Sequence, residues 1–461
     1  MPSSPNKQPR TELEDYAQRI EALAQSLGLD YYPVDFELAP ASLMTEIAVY
    51  GLPVRMPHWS FGVRYIHQLV RQSMGHSKIF EVMFPGDPCR AFLMDSNSMA
   101  ENALVTAHVL GHADFSKNNQ LFARFHAMAG GNIVEMAAAH AHRIQLAIEQ
   151  HGVERVEQVL DAALSLESHI DVTGELHRAR YSEFKAPQPK ATPNAFHQRY
   201  QQLPGVEQPA AAPTGQVKAA VPPHPEYDLL WFIANYAPEL EQWERDIFLM
   251  VRAESFYFYP VFACQIMNEG WASYWHARLL READFLPQPL YLSAIKAHSD
   301  VVRPFASGQE TALAINPYYL GFSIWERIVA RHGIERARQV RSEEDDFGFV
   351  RNWLDEELAE ESGLFVYEAR PGDEIRVATK DISAIREAIL APKFNFGAPR
   401  VAAVELKNDG SLGLKHDHPS DGRGLDVTRA KRVLEYVHRV WRRPVRLATV
   451  NERAENVEVA A

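Results

Sequence analysis

The run SMAENALVTAHVLGHADFSKNN, residues 98–119, constrains the fold more than any other part of the chain. Ser98 and Glu101 have the S-x-x-E spacing of a capping box, so a helix starts here and Glu101 is accounted for as its cap. Within that helix Leu104, His108, Gly111 and His112 fall on one stripe, with Val105 and Val109 beside it. The histidines therefore point where the apolar groups point, and four-residue spacing stacks them on the same face. Two imidazoles aimed into a core are either hydrogen-bonded to carbonyls and carboxylates or share a metal ion. A lone buried histidine is usually the first; the pair leaves both open.

At 461 residues the chain exceeds the size at which one core stops growing, so two or more substructures are expected. With 46% hydrophobic and 23% charged residues it is an ordinary globular sequence, and a net charge of −13 argues against a general nucleic-acid binder. No apolar run reaches bilayer-spanning length, so no membrane span is expected. The start, MPSSPNKQPRTELEDY, is polar and lacks the apolar core of a secretory signal. Cys89 and Cys264, the two cysteines, give no disulfide framework and fit a reducing compartment. A cytoplasmic location is the expectation that follows.

Periodicity predicts an α+β protein: a mostly helical body with a small C-terminal α/β unit of ββαββαβ type. The first helix has Leu13, Tyr16, Ile20, Leu23 and Leu27 on one face and stops near Gly28. SKIFEVMFPGDPCRAFLMDSNS reads as short strands broken by Pro85, Gly86 and Pro88. Residues 1–184 form the helical part that carries HVLGH. Residues 185–225, rich in proline, alanine and glutamine, read as a flexible or extended surface connection. Residues 226–361 are a second helical part carrying NEGWASYWH and packing with the first. Residues 362–452 form the small unit: a hairpin, a helix, a second hairpin turning at Asp409-Gly410, the helix TRAKRVLEYVHRVW and a final strand VRLATV.

A metal site needs a third ligand, and Glu269 in MNEGWASYWH is the best candidate. It lies on an apolar, aromatic helix with Met267, Trp271, Tyr274 and Trp275, where a carboxylate must be paired, protonated or bound to a cation. Pairing with His108, Arg64 or Arg124 is the structural alternative. His276 lies two turns on, about 10.5 Å along the axis, which suits a supporting or substrate-contacting place better than direct ligation. His140 and His142, two apart on a helix, cannot share a face. His416 and His418 alternate near the end of a strand and are expected to face solvent; Arg442 and Arg443 follow a helix and serve its C-terminus or the solvent.

The segments MPHWSFGVRY, AHVLGHADFSKNNQLF, QIMNEGWASYWH and INPYYLGF, in this order and spacing, resemble the stage V sporulation protein R (SpoVR) family over roughly residues 12 to 450. The C-terminal VELKNDGSLGLKHDH and LEYVHRVW match as well. The resemblance implies a link to spore cortex formation or to a kinase-linked stress pathway, with a serine kinase and a von Willebrand-type protein as partners. The site alone is also similar to that of the gluzincin metallopeptidases, in which an HExxH helix and a later glutamate hold zinc. Carried across, His108, His112 and Glu269 are the metal ligands, and Val109 stands where the general base would be. A proton acceptor would then have to be His276, Asp114 or His58. Zinc suits such a site first, with iron or manganese as alternatives. Two functions are expected on these grounds. One is a metal-dependent hydrolase acting on peptide or peptidoglycan-related bonds. The other is a non-catalytic regulatory or scaffolding protein with a structural histidine–glutamate cluster. An open cleft beside His108 would favour the first, a sealed cluster the second.

Overall fold

The computed structural model describes residues 7–52, 54–73, 80–128, 132–178, 181, 221–303, 316–369 and 375–461. Residues 185–220, most of the expected connection, lie outside these. The architecture is α+β, a mostly helical body with a small β/α region at the C-terminal end. By contacts the chain divides into two units, Met1–Gln150 with Ala253–Gly397, and His151–Arg252 with Ala398–Ala461.

The first unit opens with α1 (Lys7–Ser26), whose Tyr16, Ile20 and Ala24 are buried, as its apolar face requires. A three-stranded sheet follows, in the order β1 (Val34–Ala39), β3 (Cys89–Met94), β2 (Glu81–Phe84). β1, which the sequence pattern left unassigned, runs parallel to β3, and β2 runs antiparallel to it. Ala91 and Leu93 on one face of β3 pack against Leu104, Val105 and Val109 of α2 (Met99–Asn118). The capping box of α2 is present in full: Glu101 N–H donates to Ser98 Oγ, and Ser98 N–H to Glu101 Oε2 at 2.7 Å. The expected stripe on α2 widens to almost the whole circumference, because helices cover the sides that the sheet leaves.

Three helices supply most of that cover, α1, α3 (Gln265–Glu282) and α4 (Gln288–Val301), and α5 (Pro317–His332) packs in turn on α3. Glycines set the distances between α2, α3 and α5. A Cβ added at Gly111 of α2 would stand 2.7 Å from Ala272 Cα on α3. One added at Gly270 of α3 would meet the Gly321 carbonyl carbon of α5 at 2.2 Å, and one at Gly321 the Ile266 carbonyl oxygen at 2.1 Å. Around these contacts Trp271, Trp275, Trp325, Phe115 and Phe349 are fully buried in one cluster. The start of α3 is fixed by Asp346, whose carboxylate accepts hydrogen bonds from the Ile266 and Met267 N–H groups at 2.9 Å each and pairs with Lys393 at 2.9 Å. An anion at a helix N-terminus satisfies free donors and complements the helix dipole. Burial outweighs both partners and pushes the Asp346 carboxyl up to about 6.

The β-rich end is shared between the units. The antiparallel pair β4 (Val366–Ala369) and β5 (Ile375–Thr379) and the helix Ile382–Leu390 belong to the first, where Leu364, Ile385 and Leu390 join the main core. The second unit holds a four-stranded sheet of consecutive strands, β6 (Val401–Leu406), β7 (Leu412–His416), β8 (Val445–Val450) and β9 (Asn456–Ala460). The β6–β7 hairpin turns at Asp409-Gly410 as expected, with Gly410 at φ +87°. Helix α6 (Val427–Trp441) then crosses to β8, which lies parallel to β7.

His416 corrects the expectation of solvent exposure. β7 is an inner strand, and Leu412, Leu414 and His416 alternate onto its covered face. The buried ring is satisfied by Thr449 Oγ1 and Asp421 Oδ2, each at 3.0 Å. Arg442 caps α6 in the left-handed region and pairs with Glu244, so it serves a helix end as expected. Among the described residues no single helix is long and apolar enough to cross a membrane.

Gly321→Ala is expected to cost about 3 kcal/mol, because a backbone rather than a flexible side chain must give way. Gly62→Ala, in helix Trp59–Ser73 with nothing within 4 Å of its added Cβ, should be neutral or stabilising by up to about 1 kcal/mol. Denaturant unfolding of the two variants measures the contrast. Asp346→Ala should cost about 3 kcal/mol, since it strips two helix N–H groups and a buried ammonium of their partner. Asp346 also carries a pH signature. Its folded pKa of about 6 exceeds the unfolded value of 3.8, so its contribution is fully present below about 4 and lost as pH rises through about 6. Asp346→Asn should remove that slope from the stability–pH curve.

Candidate metal centre

The helix contacts bring together side chains that lie far apart in sequence. Gly111 precedes His112 and lies one turn from His108, Gly270 follows Glu269, and Gly321 lies one turn from Tyr318. Where α2, α3 and α5 touch, their functional side chains therefore meet. His108, His112 and Glu269 offer one donor atom each, all within 4.8 Å of one another. Glu269 Oε2 is 3.5 Å from His112 Nε2 and 3.7 Å from His108 Nε2. Around a tetrahedral ion with bonds of about 2.1 Å, donor atoms stand roughly 3.4 Å apart. The spacing is too wide for hydrogen bonds and right for a shared cation.

A second observation supports the fit. Glu269 Oε2 is buried and has no hydrogen-bond partner among the described residues. A buried carboxylate oxygen left this way costs free energy unless a charge faces it. The ring orientations agree with ligation as well. His112 Nδ1 is 2.9 Å from Asn268 Oδ1, an acceptor, so the proton sits on Nδ1 and the Nε2 lone pair faces Glu269. His108 Nδ1 lies 2.9 Å from His276 Nδ1, and His276 Nε2 lies 2.5 Å from His298 Nδ1. With the His108 Nε2 lone pair turned to the cluster, its Nδ1–H donates to His276, which in turn donates to His298. Burial, reinforced by neighbouring histidines, holds His276 far below the ordinary imidazole pKa. Burial first, then Arg281, lowers His298 to about 4. Both therefore remain neutral, as a directed chain of ring N–H donors requires.

The metal-free electrostatics are those of a strained ion cluster. Burial works against charge on Glu269, but His112 and His108 overcome it and hold the carboxyl far below its usual range. Burial likewise opposes charge on His112, and Glu269 reverses the balance and raises its pKa. A second carboxylate, Glu81 at the start of β2, has Oε1 3.9 Å from His108 Nε2; burial pushes its pKa up. The Tyr318 hydroxyl stands beside them, and the Glu269 charge, with burial, raises its pKa so far that it stays protonated. Its ring stacks on His108 at 6.1 Å. A partly open cleft of about 380 Å³ lies against this group, lined among the described residues by Phe80, Glu81, Leu104, His108, His276 and Tyr318, among others.

The structure thus groups His108, His112, Glu269 and His276. Asp114, two residues beyond His112, is turned elsewhere: it accepts from Trp271 Nε1 at 2.8 Å, from Arg341 at 2.5 Å and from the Asp30 N–H at 2.8 Å. His58 bonds Ser60 Oγ at 2.7 Å beside the Trp59 and Phe61 rings. His140 is bonded to the buried Glu254. Sequence reasoning missed Glu81, Asn268, His298 and Tyr318. Asn268 and Tyr318 sit inside motifs already singled out, and Glu81 is an acid in an apolar strand; His298 gave no signal.

Comparison with known proteins agrees with the motifs. Residues 7–397 match the family described as SpoVR like protein, and residues 400–452 match the SpoVR-like C-terminal domain. The chain is 29% identical over 482 residues to the Escherichia coli (strain K12) "Uncharacterized protein YcgB", covering 95% of this chain and 92% of that one. No solved structure matches the chain significantly. With one family match spanning the whole helical body and a second continuing through most of the C-terminal sheet, the chain belongs to the SpoVR family.

Proposed function

We propose that this chain is a divalent-metal-dependent hydrolase whose ion is held by His108, His112 and Glu269. The observation that carries this is the unpartnered, buried Glu269 Oε2 facing two imidazole Nε2 atoms beside a partly open cleft. A structural cluster would be sealed, whereas a catalytic one needs a side open to substrate. A divalent ion there would polarise a carbonyl and lower the pKa of a water ligand.

The protein's own groups divide the remaining tasks. Asn268 and His276 hold the two imidazoles in the ligating tautomer. Tyr318, kept protonated by Glu269, is an O–H donor placed to meet a substrate oxygen at the cleft wall. Val109 offers no proton acceptor and is buried. His276 lines the cleft, but its Nδ1 is taken by His108 and its Nε2 by His298, which supports a role in orienting His108; to accept a proton it would first have to break that chain. Asp114 already has three donors on its two oxygens, which supports a structural role.

The cleft lining also bears on substrate. Among the described residues it contains Phe80, Leu104, Val105, Ala297 and Val301 with Glu81 and Glu101, and neither lysine nor arginine. Such a wall suits a neutral or cationic substrate with apolar flanks, and it repels phosphate and other anions. Peptides and peptidoglycan-derived amides are therefore the first substrates to try. A place in cortex formation or a kinase-linked stress pathway rests on the family resemblance and guides that choice.

Metal analysis of protein purified without chelating resin should find about one equivalent of zinc, iron or manganese in the wild type. His112→Ala should have none. No metal in either, with the variant merely less stable, would leave the cluster as a structural knot. Asn268→Ala, which frees the His112 ring without removing a ligand, should weaken metal binding by about 10- to 100-fold in a chelator competition, with the fold intact by circular dichroism.

A further inference from the structure

Glu81 lies outside the tight trio of donors, yet three features aim it at the same ion. The first is register. Glu81 stands directly opposite Leu93 across the β2–β3 pair, so the two side chains share a face of the sheet. Leu93 packs in a cluster with Leu104, Val105 and Val109 of α2, which fixes that face as the one toward the histidine helix. The second is distance. Glu81 Oε1 is 3.9 Å from His108 Nε2, close to the 3.7 Å that separates the same nitrogen from Glu269. The Glu81 carboxylate forms no hydrogen bond with any described residue; its one close basic neighbour among them is His108.

The third is charge. Glu81 and Glu269 both stand within 4 Å of His108 Nε2, and no described lysine or arginine lines the cleft beside them. Two ionised carboxylates confined this way repel each other and lose their hydration. A dication removes the imbalance, because two carboxylates and two neutral imidazoles around it sum to zero. Glu81 also lines the cleft, and in the octahedral shell that manganese prefers four protein ligands still leave positions for water and substrate.

We propose that Glu81 is a fourth protein ligand of the metal centre, an inference that rests on the metal site proposed above. The carboxylate missing from α2 at Val109 is then supplied from a strand, as a ligand instead of a base. Two histidine nitrogens and two carboxylate oxygens form a harder donor set than two histidines and one carboxylate. That set shifts preference toward manganese or iron relative to zinc.

Metal-stripped full-length protein titrated with Mn²⁺ and with Zn²⁺ tests this, using wild type, Glu81→Gln and His112→Ala. Glu81→Gln should weaken Mn²⁺ binding at least about tenfold, and Zn²⁺ binding less, while leaving the melting temperature in chelator unchanged. Mn²⁺ binding within about twofold of wild type would overturn the assignment. Should wild type take up neither ion, the metal site itself falls, and Glu81 with it; that result differs plainly from a wild type that binds and an indifferent variant. If Glu81→Gln does not fold, crystals of the wild type soaked in Mn²⁺ decide. A Glu81 oxygen within about 2.2 Å of the ion supports direct ligation, and one beyond about 3 Å excludes it.

Discussion

Three helix backbones touch at Gly111, Gly270 and Gly321, with no room at any of the three for a methyl group. A larger residue at any of them would separate the helices, and the donor atoms beside them would separate too. The functional residues are the sequence neighbours of these contacts, or lie one turn away, so packing and chemistry cannot be varied independently. That coupling gives HVLGH, NEGW and PYYLGF a physical cause. Each motif joins a glycine that permits close approach to a side chain that needs it.

Close packing alone would bury charges at a loss. The first unit compensates in two places. At the start of α3, Asp346 and Lys393 settle the helix N-terminus with an ion pair and two backbone hydrogen bonds. One turn further along, Glu269 is left with an oxygen that nothing in the described protein satisfies. The contrast distinguishes a structural carboxylate from one waiting for a ligand. The histidines follow the same logic: His416 has two partners and is closed to further bonding, whereas His108 and His112 spend one ring nitrogen each and keep the other.

Much of this was legible in the sequence, for specific reasons. The α2 cap, the His108–His112 stack and the isolation of Glu269 on an apolar helix are local patterns, and local periodicity carries them. The β6–β7 hairpin announced itself through Asp409-Gly410. What stayed hidden depends on tertiary neighbours. β1 has few alternating buried positions and is a strand because β3 is available to pair with it. His416 looked exposed because a strand end beside polar residues gives no sign that another strand will flank it. Glu81 and His298 reach the site only through sheet register and the packing of α4, which no spacing along the chain encodes. The glycines were visible as letters, but their role emerges only when two meet.

The whole site turns on one divalent ion binding between His108, His112 and Glu269. X-ray absorption at the edge of whichever metal accompanies the purified protein tests it most directly. Two imidazoles with oxygen donors completing the shell should give their multiple-scattering signature in the wild type, and His108→Ala should give no metal edge. An all-oxygen shell, or a spectrum unchanged by that substitution, would contradict it.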